Sequence, residues 1–381
     1  MKYSTKIIHT GRDKDPYTGA ASIPIYQVST FVQDDDSLIK DYRYSRASNP
    51  TREALEHTIA VMENGSMGFA FSSGMAATSS VLLLLKPGDH IIAPADVYGG
   101  TYRVLTTIFQ RWGLKHTFVD MTDIDEIERA LRPDTRAIFV ETPSNPLLKI
   151  TDLRAVVGIA RDRGILTIID NTFMTPFLQR PLEFGFDIVV HSATKFIGGH
   201  SDVIAGLAVT RSKELGNDLR DAQISFGAVL GPQDSWLLLR GIKTLGVRME
   251  AQQKTAESLA LWLKERKEVK HVFYPALEGH PGRDTHLGQA GGGGAVLSFE
   301  LAGGQFVRDF MAELKLCLFA VSLGGVESIL SYPSMMSHAA IPEKERLARG
   351  ITDGLVRLSV GLEDREDLQA DIEQALEEAR R

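Results

Sequence analysis

Between about residues 68 and 210, short apolar runs alternate with longer stretches in which apolar positions recur at helical spacing. The runs His90–Ala93, Lys115–Val119, Ala137–Glu141, Leu166–Asp170, Ile188–His191 and Leu207–Thr210 are short and rich in β-branched residues, which predicts strands. The stretches Thr101–Trp112, Ile124–Leu131 and Leu153–Arg163 between them predict helices. Strands and helices in strict alternation predict an α/β fold with a doubly wound, mostly parallel sheet. Such sheets bind ligands beyond the carboxyl ends of their strands, so those ends are where chemistry is to be sought.

The pattern differs on both sides of this block. Residues 1–50 are rich in Thr, Ser, Tyr and Pro with few helix-period signals, and so long an irregular stretch calls for a reason. Packing across a neighbouring subunit would supply one. A helix is predicted to begin at Asn49-Pro50-Thr51, with Leu55, Ile59 and Met62 on its apolar face. Past residue 240 a long helix over Met249–Glu268 leads to a strand near His271–Tyr274, a loop with Gly291 to Gly294, and a strand at Ala295–Leu301. Leu368, Ile372 and Leu376 then mark a closing helix by their four-residue spacing. The expected organisation is an arm over 1–50, a large domain over 51–240 and a smaller C-terminal α+β domain over 241–381.

Composition narrows the class. With 381 residues, 43% hydrophobic and 24% charged, the chain reads as an ordinary globular protein large enough for two domains. A net charge of −7 without a basic stripe argues against a nucleic-acid partner. Asp34-Asp35-Asp36 is too short for an interaction tail and reads as a solvated loop. The apolar run from Leu316 to Val321 is far too short to span a membrane, and its Cys317, the one cysteine, reads as a small buried hydrophobe. With no signal-peptide pattern at the N-terminus, these features point to a cytoplasmic protein.

Four features carry candidate chemistry. Lys195 follows the Ile188–His191 strand in His191-Ser192-Ala193-Thr194-Lys195-Phe196. Most lysines are solvated, but an amine beside apolar Phe196 and Ile197 loses its proton more easily and can condense with an aldehyde. Ser192 and Thr194 are placed to bond a phosphate. Asp170 ends its strand one strand–helix unit earlier; strand-end acids are usually caps, yet an acid there also suits a pyridinium nitrogen. Ser73-Gly74-Met75-Ala76-Ala77 opens a helix whose backbone N–H groups could cradle a phosphate, although such helix starts are common without a ligand. Tyr98, in Tyr98-Gly99-Gly100-Thr101, could stack on a planar cofactor or serve as a structural turn tyrosine. There is no Gly-x-Gly-x-x-Gly fingerprint and no Walker loop, which disfavours a nicotinamide-dependent oxidoreductase.

Ser192-x-Thr194-Lys195-x-x-x-Gly199-His200, Tyr98-Gly99-Gly100-Thr101 and Ser73-Gly74-Met75-Ala76-Ala77 together resemble the trans-sulfuration (Cys/Met metabolism) enzymes that depend on pyridoxal 5'-phosphate (PLP). Tyr44-Ser45-Arg46, Glu141-Thr142-Pro143-Ser144-Asn145-Pro146, Asp170-Asn171-Thr172-Phe173, Ser322-Leu323-Gly324-Gly325 and Arg357-Leu358-Ser359 extend the likeness over essentially the whole chain. The resemblance implies fold-type I PLP architecture, aspartate-aminotransferase-like, in a homotetramer built as a dimer of dimers with shared active sites. It implies that Lys195 carries the cofactor as a Schiff base and then moves the Cα proton, that Asp170 pairs with the ring nitrogen, and that Tyr98 stacks. It assigns phosphate contacts to Gly74, Met75, Ser192 and Thr194, with Tyr44 and Arg46 reaching in from the neighbouring subunit. Arg357 corresponds to the clamp for the substrate α-carboxylate, aided by Asn145 and Ser322, and Arg103 to a contact for a distal carboxylate.

Within the group, the likeness is greatest to bacterial cystathionine β-lyases, which implies β-elimination of L-cystathionine to homocysteine, pyruvate and ammonia. Val321, where many γ-lyases and γ-synthases carry Glu, argues against γ-synthase chemistry but also suits a methionine-lyase-like pocket, and Gly100, where methionine γ-lyases carry Cys, counts against that subgroup. Cystathionine γ-lyase is the runner-up, with γ-synthase behind it.

Overall fold

The computed structural model describes residues 1–11, 15, 17–33, 42–337, 339 and 342–381; Asp34-Asp35-Asp36 lie outside them. Met67–Phe71 (β1), His90–Pro94 (β2), Lys115–Val119 (β3), Thr135–Glu141 (β4), Leu166–Asp170 (β5), Ile188–Ser192 (β6) and Gly206–Thr210 (β7) form one sheet in the order β1-β7-β6-β5-β4-β2-β3. The run β3-β2-β4-β5-β6 is parallel throughout. By contrast, β7 lies antiparallel to both β6 and β1. All five residues of β2 and of β7 are buried, which is why these strands read as unbroken apolar runs rather than as an alternation.

Helices cover both faces. Tyr3–His9 (α1) and Pro50–Glu63 (α2) belong to one face, where Leu55, Ile59 and Met62 share a hydrophobic cluster with Val140, Ile169 and Val189. Gly74–Leu82 (α3) serves the other, with Ala77, Val81 and Leu82 clustered with Phe139, Ile168 and Val190. The start of α2 follows from its caps: Asn49 accepts the N–H groups of Thr51 and Arg52, and Pro50 takes the first helical position.

Two sequence expectations change here. The arm is not wholly irregular, because α1 is fixed by tertiary contact: Ile7 is buried, and the Tyr3 hydroxyl donates to the Met62 carbonyl at 2.9 Å. The single helix expected over Thr101–Trp112 is instead three short pieces: Gly99–Arg103 (α4), a π-helical turn at Val104–Ile108 and a 3-10 turn at Phe109–Trp112. Val104, Thr106, Thr107 and Ile108 crowd the helix at Cβ, while the Thr106 and Thr107 hydroxyls donate back to the Tyr102 and Arg103 carbonyls.

A second sheet is built from His271–Phe273 (β8), Val296–Glu300 (β9), Leu318–Phe319 (β10), Ile329–Ser331 (β11) and Leu355–Ser359 (β12), in the order β10-β11-β12-β9-β8. The long helix leading to it runs over Leu245–Lys264, four residues earlier at each end than the periodicity suggested. The closing helix, Arg365–Ala379, buries Leu368, Ile372 and Leu376 as expected, and Cys317 is buried in the same cluster. The rest of its run is not: Leu316, Leu318, Phe319 and Val321 are exposed along the edge strand β10. Ser298 on β9 donates to the Pro146 carbonyl at 2.7 Å, tying this sheet to the loop after β4. Among the described residues, no helix is long and apolar enough to cross a membrane.

Candidate active site

The carboxyl ends of β4, β5 and β6 bring Glu141, Asp170 and Ser192 to one edge of the large sheet, with Glu141 directly opposite Asp170 in the register. Lys195 lies in the turn after β6. That turn is held from behind by buried Arg248, whose guanidinium donates to the carbonyls of Phe196 at 2.7 Å and Gly241 at 2.9 Å. The Lys195 ammonium nitrogen donates to Ser322 Oγ at 2.6 Å, across 127 residues of sequence. Burial, helped by the Arg357 charge, pulls the Lys195 amine down to about 8.

Ser322 itself sits at φ 92°, a conformation that costs a β-carbon-bearing residue energy and is seen at constrained functional sites. Its neighbour Gly324, at φ 82°, packs on the lysine turn so closely that a Cβ would lie 2.5 Å from the Phe196 nitrogen and 2.9 Å from the Lys195 carbonyl carbon. Gly324→Ala is expected to cost at least about 2 kcal/mol through left-handed strain and backbone overpacking. The check is a lower thermal midpoint in a calorimetric melt. An unchanged midpoint would contradict the tight approach.

Arg357, on β12, is buried and points the same way. Its Nη1 donates to Asn145 Oδ1 and its Nη2 to the Ser322 carbonyl, each at 2.8 Å, while Nε has no partner among the described residues. Burial lowers the guanidinium to about 10. A buried cation held by two neutral acceptors, with a donor to spare, is suited to receive an anion.

Asp170 accepts the Thr172 N–H at 3.0 Å, and burial raises its carboxyl although Thr172 opposes the rise. Thr172 Oγ1 in turn accepts the Ser192 N–H at 2.8 Å, so β5 and β6 are locked together at their ends. Such a half-buried, desolvated acid, in no salt bridge among the described residues, suits a protonated ring nitrogen.

Ser73 caps α3 by accepting the Ala76 N–H at 3.0 Å, and Gly74 lies against Ser192, where an added Cβ would come within 2.8 Å of the serine Cβ. The N-terminus of α3 and Ser192 thus share one corner, the geometry of an anion cradle. Thr194 is less free than expected, because its hydroxyl accepts the Ala205 N–H at 3.0 Å and donates to the Ala205 carbonyl at 3.2 Å. Tyr98 begins α4 with its ring half exposed. A Cβ on Gly100 would fall 2.5 Å from that ring and 2.7 Å from the Met75 sulfur, which places Met75 beside the tyrosine.

Three residues lie apart from this cluster. Tyr44 and Arg46 are exposed and grouped with each other, the guanidinium 5.7 Å from the ring centre, and Arg46 donates to the Ile224 carbonyl. Arg103 is exposed on the last turn of α4.

Sequence reasoning quoted Glu141 and Gly324 only inside longer runs and passed over Arg248. The available signal for Glu141 was its position: it ends β4 as Asp170 ends β5.

A family model described as Cys/Met metabolism PLP-dependent enzyme matches residues 4–377. The chain is 56% identical over 374 residues to cystathionine beta-lyase MetC of Bacillus subtilis (strain 168), spanning 98% of this chain and 96% of that protein. It is 53% identical over 377 residues to cystathionine gamma-lyase of the same organism, spanning 99% and 100% respectively. Among solved structures, cystathionine gamma-lyase from Lactobacillus plantarum complexed with L-serine superposes with a TM-score of 0.98 at 46% identity, over 100% of both chains.

Proposed function

The chain belongs to the Cys/Met metabolism PLP-dependent enzymes, and from that premise we propose that it is a carbon–sulfur lyase that converts L-cystathionine to homocysteine, pyruvate and ammonia by β-elimination. The observation that carries the reading is the linked set Lys195, Ser322, Arg357 and Asn145, which puts a proton-labile amine beside a carboxylate receptor.

The residues present fit PLP. Asp170 would hold the ring nitrogen, Tyr98 would lie on the ring, and Gly74, Met75, Ser192 and Thr194 would surround the phosphate. Tyr44 and Arg46 of the arm would complete the phosphate pocket of a neighbouring copy, in a dimer of dimers with shared sites. When bound, PLP supplies an electron sink that stabilises negative charge at the substrate Cα.

The chain's own groups do the rest. Arg357 takes the α-carboxylate through paired N–H donors, with Asn145 fixing the guanidinium plane. That leaves the Cα–H bond facing Lys195, whose neutral amine accepts the proton. Ser322 keeps the lysine nitrogen aimed at that atom through its 2.6 Å hydrogen bond. As the Cβ–S bond breaks, the thiolate would leave and take up the proton that Lys195 holds, and water would convert the remaining three-carbon enamine to pyruvate and ammonia. Arg103, exposed on α4 apart from the cluster, would be the contact for the distal carboxylate of cystathionine.

Elimination at Cγ requires a second proton removal at Cβ. Val321, next to Ser322 and 66% exposed, offers no acid–base group for it, which supports β-elimination. The γ-lyase relative makes γ-elimination the reading to test against. Incubation with L-cystathionine is expected to yield pyruvate and homocysteine, read by keto-acid chromatography; 2-oxobutyrate with cysteine as the main product would overturn the β assignment.

A further inference from the structure

We propose that Glu141 is a positioning residue that holds the α-carboxylate clamp and the stacking tyrosine in one fixed relation; this rests on the function proposed above. Glu141 is buried at the end of a central strand, directly opposite the half-buried Asp170. Placing two carboxyl groups there is unfavourable, and burial together with the Asp170 charge pushes the Glu141 carboxyl well up. A residue kept at that cost needs a task that a neutral side chain performs less well.

The hydrogen bonds identify the task. One Glu141 oxygen accepts the Tyr98 N–H at 2.9 Å, and the other accepts the Asn145 N–H at 3.0 Å. These two donors come from different loops, one after β2 and one after β4. Both oxygens of a carboxyl group carry lone pairs that can accept, whereas glutamine turns an NH2 group toward one of the two donors. Beyond Asn145 the chain of contacts continues: Asn145 Oδ1 to Arg357, Arg357 to the Ser322 carbonyl, and Ser322 Oγ to Lys195. Glu141 touches neither the proposed substrate carboxylate nor the lysine, but it fixes the backbone from which both Tyr98 and Asn145 project.

The prediction is a specific loss of carboxylate recognition. Holoenzyme reconstituted with PLP is titrated with L-alanine and with ethylamine, and apparent Kd values are read from the visible absorption. The ratio of the two measures the value of the α-carboxylate. Glu141→Gln is expected to shrink that ratio by about tenfold, as for a weakened hydrogen bond to a charged group, while the ethylamine Kd moves far less. Glu141→Asp, which keeps both oxygens on a shorter stem, should fall between, and Glu141→Gln combined with Asn145→Ala should lose less than the two losses multiplied.

An unchanged ratio in either folded variant overturns the inference, as does an equal weakening of both amines. If neither variant shows a cooperative apoprotein melt, Glu141 is a structural residue and the positioning role is overturned as well. Failure of the parent protein to take up PLP at all would instead sink the proposed function, and is seen before any variant is made.

Discussion

Lys195→Ala is expected to remove the visible absorption band formed with PLP and to lower turnover of L-cystathionine by roughly 10³-fold or more, the scale of losing a general base. The Lys195 amine is pulled to about 8 chiefly by burial, and Ser322 Oγ holds it at 2.6 Å. The same value sets a pH dependence. Condensation with an aldehyde requires the neutral amine, so PLP uptake by the apoprotein should rise with pH up to about 8 and level off above it. Below that point the initial rate should fall by about tenfold per pH unit, following the neutral fraction. Stopped-flow absorbance on the apoprotein reads this directly. A rate still climbing at the ordinary lysine value near 10.5 would show that the amine is not desolvated in solution.

The second large effect is expected at Arg357. Arg357→Lys keeps the charge but offers a single ammonium where the structure uses a planar fork. Nη1 serves Asn145 and Nη2 serves the Ser322 carbonyl, leaving the guanidinium edge oriented for an anion. Lysine cannot satisfy both acceptors and still present two parallel donors. The expected result is a roughly 10²-fold loss in kcat/KM, carried mainly by KM, as for truncating one partner of a buried charge pair. The PLP absorption band should survive, because Arg357 is not a proposed cofactor contact. Steady-state kinetics with L-cystathionine checks the split; an unchanged KM would remove Arg357 from substrate binding.

Much of the fold was legible because strand signals here are local. Every expected strand of the large sheet recurs, with ends shifted by at most two residues, since β2 and β7 are buried on both faces and need continuous apolar sequence. The misreadings have local or tertiary causes. Thr106 and Thr107 bond back to the preceding turn and break a helix that periodicity alone extends. Helix α1 carries little signal of its own and depends on the contact of Tyr3 with Met62. The run from Leu316 to Val321 looks like core, yet only Cys317 and the half-buried Ala320 turn inward from the edge strand.

The sequence by itself determined the α/β class and the edge of the sheet where chemistry collects, because Lys195, Asp170 and the Ser73–Ala77 turn sit at strand and helix ends that periodicity reveals, while the cofactor follows from the resemblance of those motifs to the trans-sulfuration enzymes. The tertiary structure alone decided which of these groups meet. Lys195 meets Ser322 across 127 residues, and Arg357 meets Asn145 across 212, pairings that no local pattern encodes. The same holds for Glu141. Its neighbours along the chain mark only a strand end, while its position opposite Asp170 and its bonds to Tyr98 and Asn145 exist only once β4 and β5 lie side by side and the loops beyond them close over their ends.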